Sequence, residues 1–211
     1  MDAEIWVSEA PLRSENVKLT LSNLVPAEGN FDESFRLAKR SAEENMLGTP
    51  LSEDNFPKHI YSDSTSKGKK QTFGDIFVAR KFLVISDAAA RVLQAFDLGC
   101  GALYPVRLTG SDKETPQGEG WHCLNFGNAK ETIIPEQPIG LMRVDNPDRT
   151  LFVLGGYMKP GQLAVQRGAL AGPDIWVDPR MLLGFFVSGR LASAIKRAKL
   201  TGFYLTRCTL V

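Results

Sequence analysis

The chain has 211 residues, enough for one domain with a real core or for two small ones. Lys and Arg number 25 against 24 Asp and Glu, a formal net charge of +1, so electrostatics gives no case for nucleic acid or an anionic membrane as the main partner. The start, Met-Asp-Ala-Glu-Ile-Trp-Val, lacks the basic and long apolar segments of a leader, no stretch approaches the ~18 apolar residues that cross a bilayer, and Cys100, Cys123 and Cys208 fit no metal spacing; a cytoplasmic protein with reduced thiols is expected.

Glu4 to Ser8 predicts a short strand. Val17, Leu19 and Leu21 alternate with Lys18, Thr20 and Ser22, the period-two pattern of a half-buried strand. From 31 to 46 the period lengthens. Phe31, Phe35, Ala38 and Ala42 form one helical stripe, with Asn30 or Asp32 as cap and Arg36, Lys39, Arg40, Glu43 and Glu44 turned to solvent. Residues 48–72 carry Pro50, Pro57, Gly68 and a polar run at 62–71, which predicts an exposed loop. Lys67, Lys69 and Lys70 in that loop offer a contact for phosphate or for an acidic partner.

The next stretch reads Gly74-Asp75-Ile76-Phe77-Val78-Ala79-Arg80, followed by an apolar run that ends at Ser86. Ser86 is placed to cap a helix, and Ala89, Val92, Leu93 and Phe96 follow at i, i+3, i+4 and i+7. Gly99 is placed to stop the helix through left-handed backbone geometry, and 102–108 predicts a strand. After a polar connection from Gly110 to Gly120, strands are expected at Trp121–Asn125, Thr132–Ile134, Leu151–Leu154 (ended by Gly155-Gly156) and Gln162–Gln166.

Residues 173–210 repeat the pattern of 74–108. Asp174-Ile175-Trp176-Val177 matches Asp75-Ile76-Phe77-Val78, and after three extra residues Ser188 matches Ser86. Leu191, Ala194, Ile195 and Ala198 take the places of Ala89, Val92, Leu93 and Phe96. Leu200 matches Leu98, and Gly202 follows as Gly99 does. The fold class is therefore α+β, mostly sheet, with two similar capped helices from an internal strand–helix–strand repeat. A single globular unit over 1–211 is expected, with 1–110 and 111–211 as its halves if it divides.

The C-terminal run, with Asp174-Ile175-Trp176, Phe186-Val187-Ser188, the helical stretch to Leu200 and then Thr201-Gly202-Phe203, resembles the Imm11 immunity-protein family of bacterial polymorphic toxin systems. That family was earlier catalogued as a domain of unknown function, DUF1629. The likeness covers the end of the chain well, the 74–108 copy and the middle more loosely, and the first part little. It implies a bacterial, cytoplasmic protein that binds and neutralises a cognate toxin by occluding it, with the toxin encoded by a neighbouring gene. The matching residues form the fold, so the resemblance implies no catalytic, cofactor-binding or metal-binding residue and leaves the partner-binding residues unknown.

The residues themselves offer little chemistry. His59 and His122 are the only histidines, and no zinc spacing, phosphate-binding loop, dinucleotide fingerprint or nucleophile elbow is present. Gly99-Cys100-Gly101 needs no more than a cap and a turn. His122-Cys123 is the one suggestive pair, but neighbours on a strand project to opposite faces. Trp121, Phe126, Phe152, Phe185 and Phe186 are expected as core, with an apolar pocket or a protein-binding surface as the alternatives. Two alternatives stay open beside a toxin-binding protein. One is an enzyme, a hydrolase or transferase, whose site combines distant residues; the other is a small-ligand-binding module. Homo-oligomerisation is compatible with each.

Overall fold

Short apolar runs dominate the sequence, and strands outnumber helices in the structure. The computed structural model describes residues 3–18, 21–24, 31–62, 72–118, 120–137, 140–147 and 149–211, with 22–24 and 31 as backbone only. The first half holds β1 (Ile5–Ser8), β2 (Leu21–Leu24), α1 (Phe31–Met46), β3 (His59–Ser62), β4 (Ile76–Ala79), β5 (Phe82–Ser86), α2 (Asp87–Gln94) and β6 (Ala102–Thr109). Then come β7 (Trp121–Asn125), β8 (Leu141–Val144), β9 (Leu151–Leu154), β10 (Ala164–Val165), β11 (Ile175–Trp176), β12 (Phe185–Ser188), α3 (Gly189–Arg197), β13 (Leu205–Arg207) and β14 (Thr209–Leu210). The α+β expectation, mostly sheet with two similar capped helices, is met.

Two sheets carry the repeat. One runs β2-β3-β6-β7-β5-β4, with β3 and β6 parallel and its other pairs antiparallel; the second runs β11-β12-β1-β13, all antiparallel. The strand-for-strand match is β4 with β11, β5 with β12, β7 with β1, and β6 with β13. Registers agree as well. Ser86 faces Trp121 as Ser188 faces Ile5, and Leu103 faces Leu124 as Leu205 faces Ser8. The repeat is therefore larger than the sequence shows, because the fourth strand of the second copy comes from the far N-terminal end of the chain.

The three extra residues of the second copy lie in one connection. β4 and β5 are joined by Arg80 and Lys81, both at positive φ (47° and 79°), a tight turn whose twist suits an antiparallel pair. β11 and β12 keep the same register across a longer loop that contains Asp178 and Arg180. Asp178 is fully buried. Its carboxylate accepts from the N–H groups of Thr132 (2.7 Å) and Ile133 (2.9 Å) and from the Arg180 guanidinium at 2.8 and 3.0 Å, so the insertion is tied down by a satisfied ion pair.

The central core lies between the copies and draws on the buried sides of α2 and α3, with Leu83, Ile85, Leu93, Phe126, Phe185, Val187, Leu191 and Ile195. The other face of the first sheet packs with α1 and Phe56. The other face of the second packs Ile5, Val7, Trp176 and Phe186 against Ile133, Phe152 and Leu163.

Several expectations are corrected. Residues 48–72 are not all loop, because β3 occupies 59–62. Pro57 and the polar neighbours hide it, but β2 and β6 pair with it from both sides and Ile60 is fully buried. The α1 stripe is rotated. Phe35 is 59% exposed, whereas Ser41, Ala42 and Asn45 are buried. Asn45 explains the shift: its side chain donates to the Leu124 carbonyl and accepts from the Phe126 N–H, both at 2.9 Å, so a polar residue anchors the helix where periodicity looks for a hydrophobe. Asp32 sits within the first turn of α1 and not before it. Gly99 and Gly202 do adopt left-handed geometry, but several residues beyond the helix ends; after α3 the left-handed residue is Lys199. Thr132–Ile134 yields a single bridge, Ile133 to Val165, and β8, which the sequence did not suggest, pairs with β9. Leu19, Thr20, Asn30, Lys67, Lys69 and Lys70 lie outside the described residues, as does the side chain of Phe31.

Candidate functional site

In each copy an aspartate, a serine and the first turn of a helix form one hydrogen-bonded unit. Ser86 Oγ accepts from the Ala89 N–H at 3.1 Å and donates to Asp75 Oδ1 at 2.7 Å. Ser188 Oγ accepts from the Leu191 N–H at 3.2 Å and donates to Asp174 Oδ1 at 2.5 Å. The serine caps the helix, as its place in the sequence predicts, and the aspartate orients the serine. The cap pattern alone does not point to the aspartate. Its signal was there in the repeat, which places Asp75 and Asp174 identically.

The second oxygen of each aspartate reaches across to the end of the other helix. Asp75 Oδ2 accepts from the Thr201 N–H (2.8 Å) and hydroxyl (2.9 Å), just past α3. Asp174 Oδ2 accepts from the Asp97 N–H at 3.0 Å, just past α2, and from Arg190 Nη2 at 2.6 Å. Burial pushes both carboxyls up, but these donors outweigh it and hold them below the usual carboxylate range. Each copy thus fixes where the helix of the other copy ends, and the two helices lie side by side.

Between α2 and α3 runs an open groove of about 520 Å³. Its apolar lining includes Val92 and Phe96 from the α2 side and Ala194 and Ala198 from the α3 side, all positions of the sequence stripes. Arg91 and Arg197 complete it. Both stripes therefore do two things. Their inner members, Ala89, Leu93, Leu191 and Ile195, are core, and their outer members form the groove.

Of the His122-Cys123 pair, Cys123 is packed into the fold, whereas His122 Nδ1 is buried with no hydrogen-bond partner among the described residues. Cys123 is fully buried in the cluster under α1, and burial pushes its thiol up; the adjacent Leu124 belongs to the central core, so His122 and Cys123 do project to opposite faces. The three cysteines are unpaired, and burial pushes the Cys208 thiol up to about 12. Phe126, Phe152, Phe185 and Phe186 are core, and Trp121 is half-buried on Phe77; the five are divided among three separate clusters. Among the described residues no cluster of His, Cys, Asp or Glu could hold a metal ion, and no helix is long and apolar enough to cross a membrane.

Two arrangements that the sequence did not suggest resemble catalytic pairs. His59 Nε2 lies 2.7 Å from the hydroxyl of buried Thr109. Arg107 donates to His59 Nδ1 at 3.3 Å, which leaves the proton on Nε2, so the ring donates to Thr109 and does not take its proton. Burial together with Arg107 and Lys113 lowers the pKa of that ring, which favours its neutral form. Lys130 is a second case, with burial lowering its ammonium to about 8 despite Asp174 and Asp97. Its Nζ donates to the carbonyls of Ala169 (3.0 Å) and Pro173 (2.8 Å) and sits 3.7 Å from the Trp176 ring centre, so its donors are spent on the fold.

A second surface feature lies on the side of β13. Arg13, paired with buried Glu9 at 2.6 Å, stacks between Tyr157 (3.8 Å) and Tyr204 (4.9 Å), and Tyr157 is 80% exposed. Tyrosine and arginine are the residue types that anchor protein interfaces.

No protein-family model matches the chain, and no curated protein matches it. The family expectation accordingly rests on the C-terminal residues quoted for it.

Proposed function

We propose that this chain is an immunity protein of a bacterial toxin system, which binds a cognate toxin in the cytoplasm and neutralises it by covering the active site or blocking a required movement. The observation that carries the reading is the C-terminal run 174–203, with its Asp-Ile-Trp, Phe-Val-Ser and Thr-Gly-Phe segments. The geometry supports it in two ways. Asp174 and Ser188 in that run are engaged in capping and cross-tying, and Trp176 is core, so the run supplies a frame. The outer sides of the two framed helices, in turn, are open to a partner. An interface of standard size takes roughly 800 Å² from each protein, a small part of the 11086 Å² this chain exposes.

The experiment is co-expression with the toxic C-terminal domain encoded beside this chain's gene. The reading predicts that growth is rescued and that the two proteins purify together as a complex. Rescue with no complex formed, or no rescue by a well-expressed chain, would overturn it.

A further inference from the structure

We infer that the groove between α2 and α3 seats the partner, and that the segment it takes is an acidic amphipathic helix. This rests on the toxin-binding reading and adds the location and chemistry of the contact. The trough is apolar, with Phe96 and Val92 on one wall and the small Ala194 and Ala198 on the other. Such a trough takes the i, i+3, i+4 and i+7 side chains of a helix.

The charge on its rim has one sign available. α3 carries Arg190, Lys196 and Arg197 and no acidic residue, although the whole chain is nearly neutral. Arg190 is committed to Asp174, and Lys196 lies 3.3 Å from the Trp6 ring centre. Arg197, on the groove, has no ion-pair partner among the described residues. Arg91, across from it, pairs only with Asp87 one turn away, an exposed contact of small worth that a partner carboxylate can replace. A second copy of this chain would set these arginines against one another, which disfavours a symmetric dimer here. A small ligand would need buried polar groups to orient it, and the polar side chains of the lining are the two exposed arginines.

The test uses the full chain and two probes. One is the toxin domain encoded beside its gene. The other is a synthetic helical peptide with Leu at i, i+3, i+4 and i+7 and Glu elsewhere, compared with its Lys counterpart by fluorescence anisotropy. The variant is Arg91→Glu/Arg197→Glu, and its charge-matched control is Arg40→Glu/Lys81→Glu on a distant surface, all checked for unchanged melting. The expected result is that the groove variant weakens toxin binding roughly a hundredfold through like-charge contact, that the control does not, and that the Glu peptide binds at least tenfold tighter than the Lys peptide. Toxin neutralised equally by the wild type and the groove variant would overturn the groove assignment while leaving the function intact. Should the wild type bind no toxin, the functional reading falls, and the peptides decide the groove alone: equal affinity for both, or none, overturns it.

Discussion

At Asp174 a carboxylate that is 1% exposed meets four donors: the Asp97 N–H, the Ser188 hydroxyl and two guanidinium nitrogens of Arg190. Asp178 is fully buried and is satisfied by Thr132, Ile133 and Arg180. Burial raises each carboxyl and the donors lower it by more, so both folded values lie below the ordinary range. The stability they contribute is fully present above the unfolded value of about 3.9 and is lost as pH falls through the folded values. Denaturant melts should therefore show Asp178→Asn costing about 3–5 kcal/mol at neutral pH, since it leaves buried donors poorly matched and Arg180 uncompensated. The gap to wild type should narrow below about pH 4; curves that stay parallel into acid would contradict this. Ser188→Ala should cost roughly 0.5–2 kcal/mol through loss of the cap and leave toxin neutralisation intact. A stable variant without neutralisation would make Ser188 a functional residue instead.

Where each helix starts, it meets the strand beside it at very close range. In the first copy the Asp87 N–H donates to the Gly120 carbonyl at 2.7 Å; in the second the Gly189 N–H donates to the Glu4 carbonyl at 2.8 Å. A Cβ on Gly120 would come within 2.7 Å of the Asp87 Cβ, and one on Gly189 within 2.8 Å of the Glu4 Cβ. Each copy therefore has one glycine at this crossing, but on opposite partners. Gly189→Ala should destabilise the fold by about 1–3 kcal/mol, and Glu4→Gly added to it should recover part of the loss. An additive double variant in chemical melts would show that the close approach is not the cause. Such a crossing is not legible in a single sequence, because nothing local ties Glu4 to Gly189. The caps and stripes are legible, because Ser86, Ser188 and the spacing from Ala89 to Phe96 and from Leu191 to Ala198 act within one helix. β3 is hidden for the converse reason, since its pairing partners lie elsewhere in the chain, and the α1 face is misjudged because Asn45 anchors it through hydrogen bonds that hydrophobic periodicity ignores.

For the molecule as a whole, β1 lies between β12 and β13 and stands where β7 stands in the other copy. Ile5 and Val7 are fully buried, and the Cys208 N–H donates to the Ile5 carbonyl at 2.9 Å, so the two ends of the chain close one sheet. Removing residues 1–8 should therefore cost the cooperative melt of the entire protein, and a truncated chain that melts as wild type does would refute the closure. The frame so closed sets α2 and α3 beside each other and leaves the groove between them open. On the proposed function, the chain acts by occupying its toxin and not by turning over a substrate. The direct measurement is the residual activity of a fixed amount of purified toxin as this protein is titrated in, at concentrations far above their Kd. Activity should fall linearly and reach its floor at a fixed stoichiometric ratio, unchanged by longer incubation. Complete loss at a small fraction of that ratio, deepening with time, would mean that each molecule neutralises many, and would contradict occlusion.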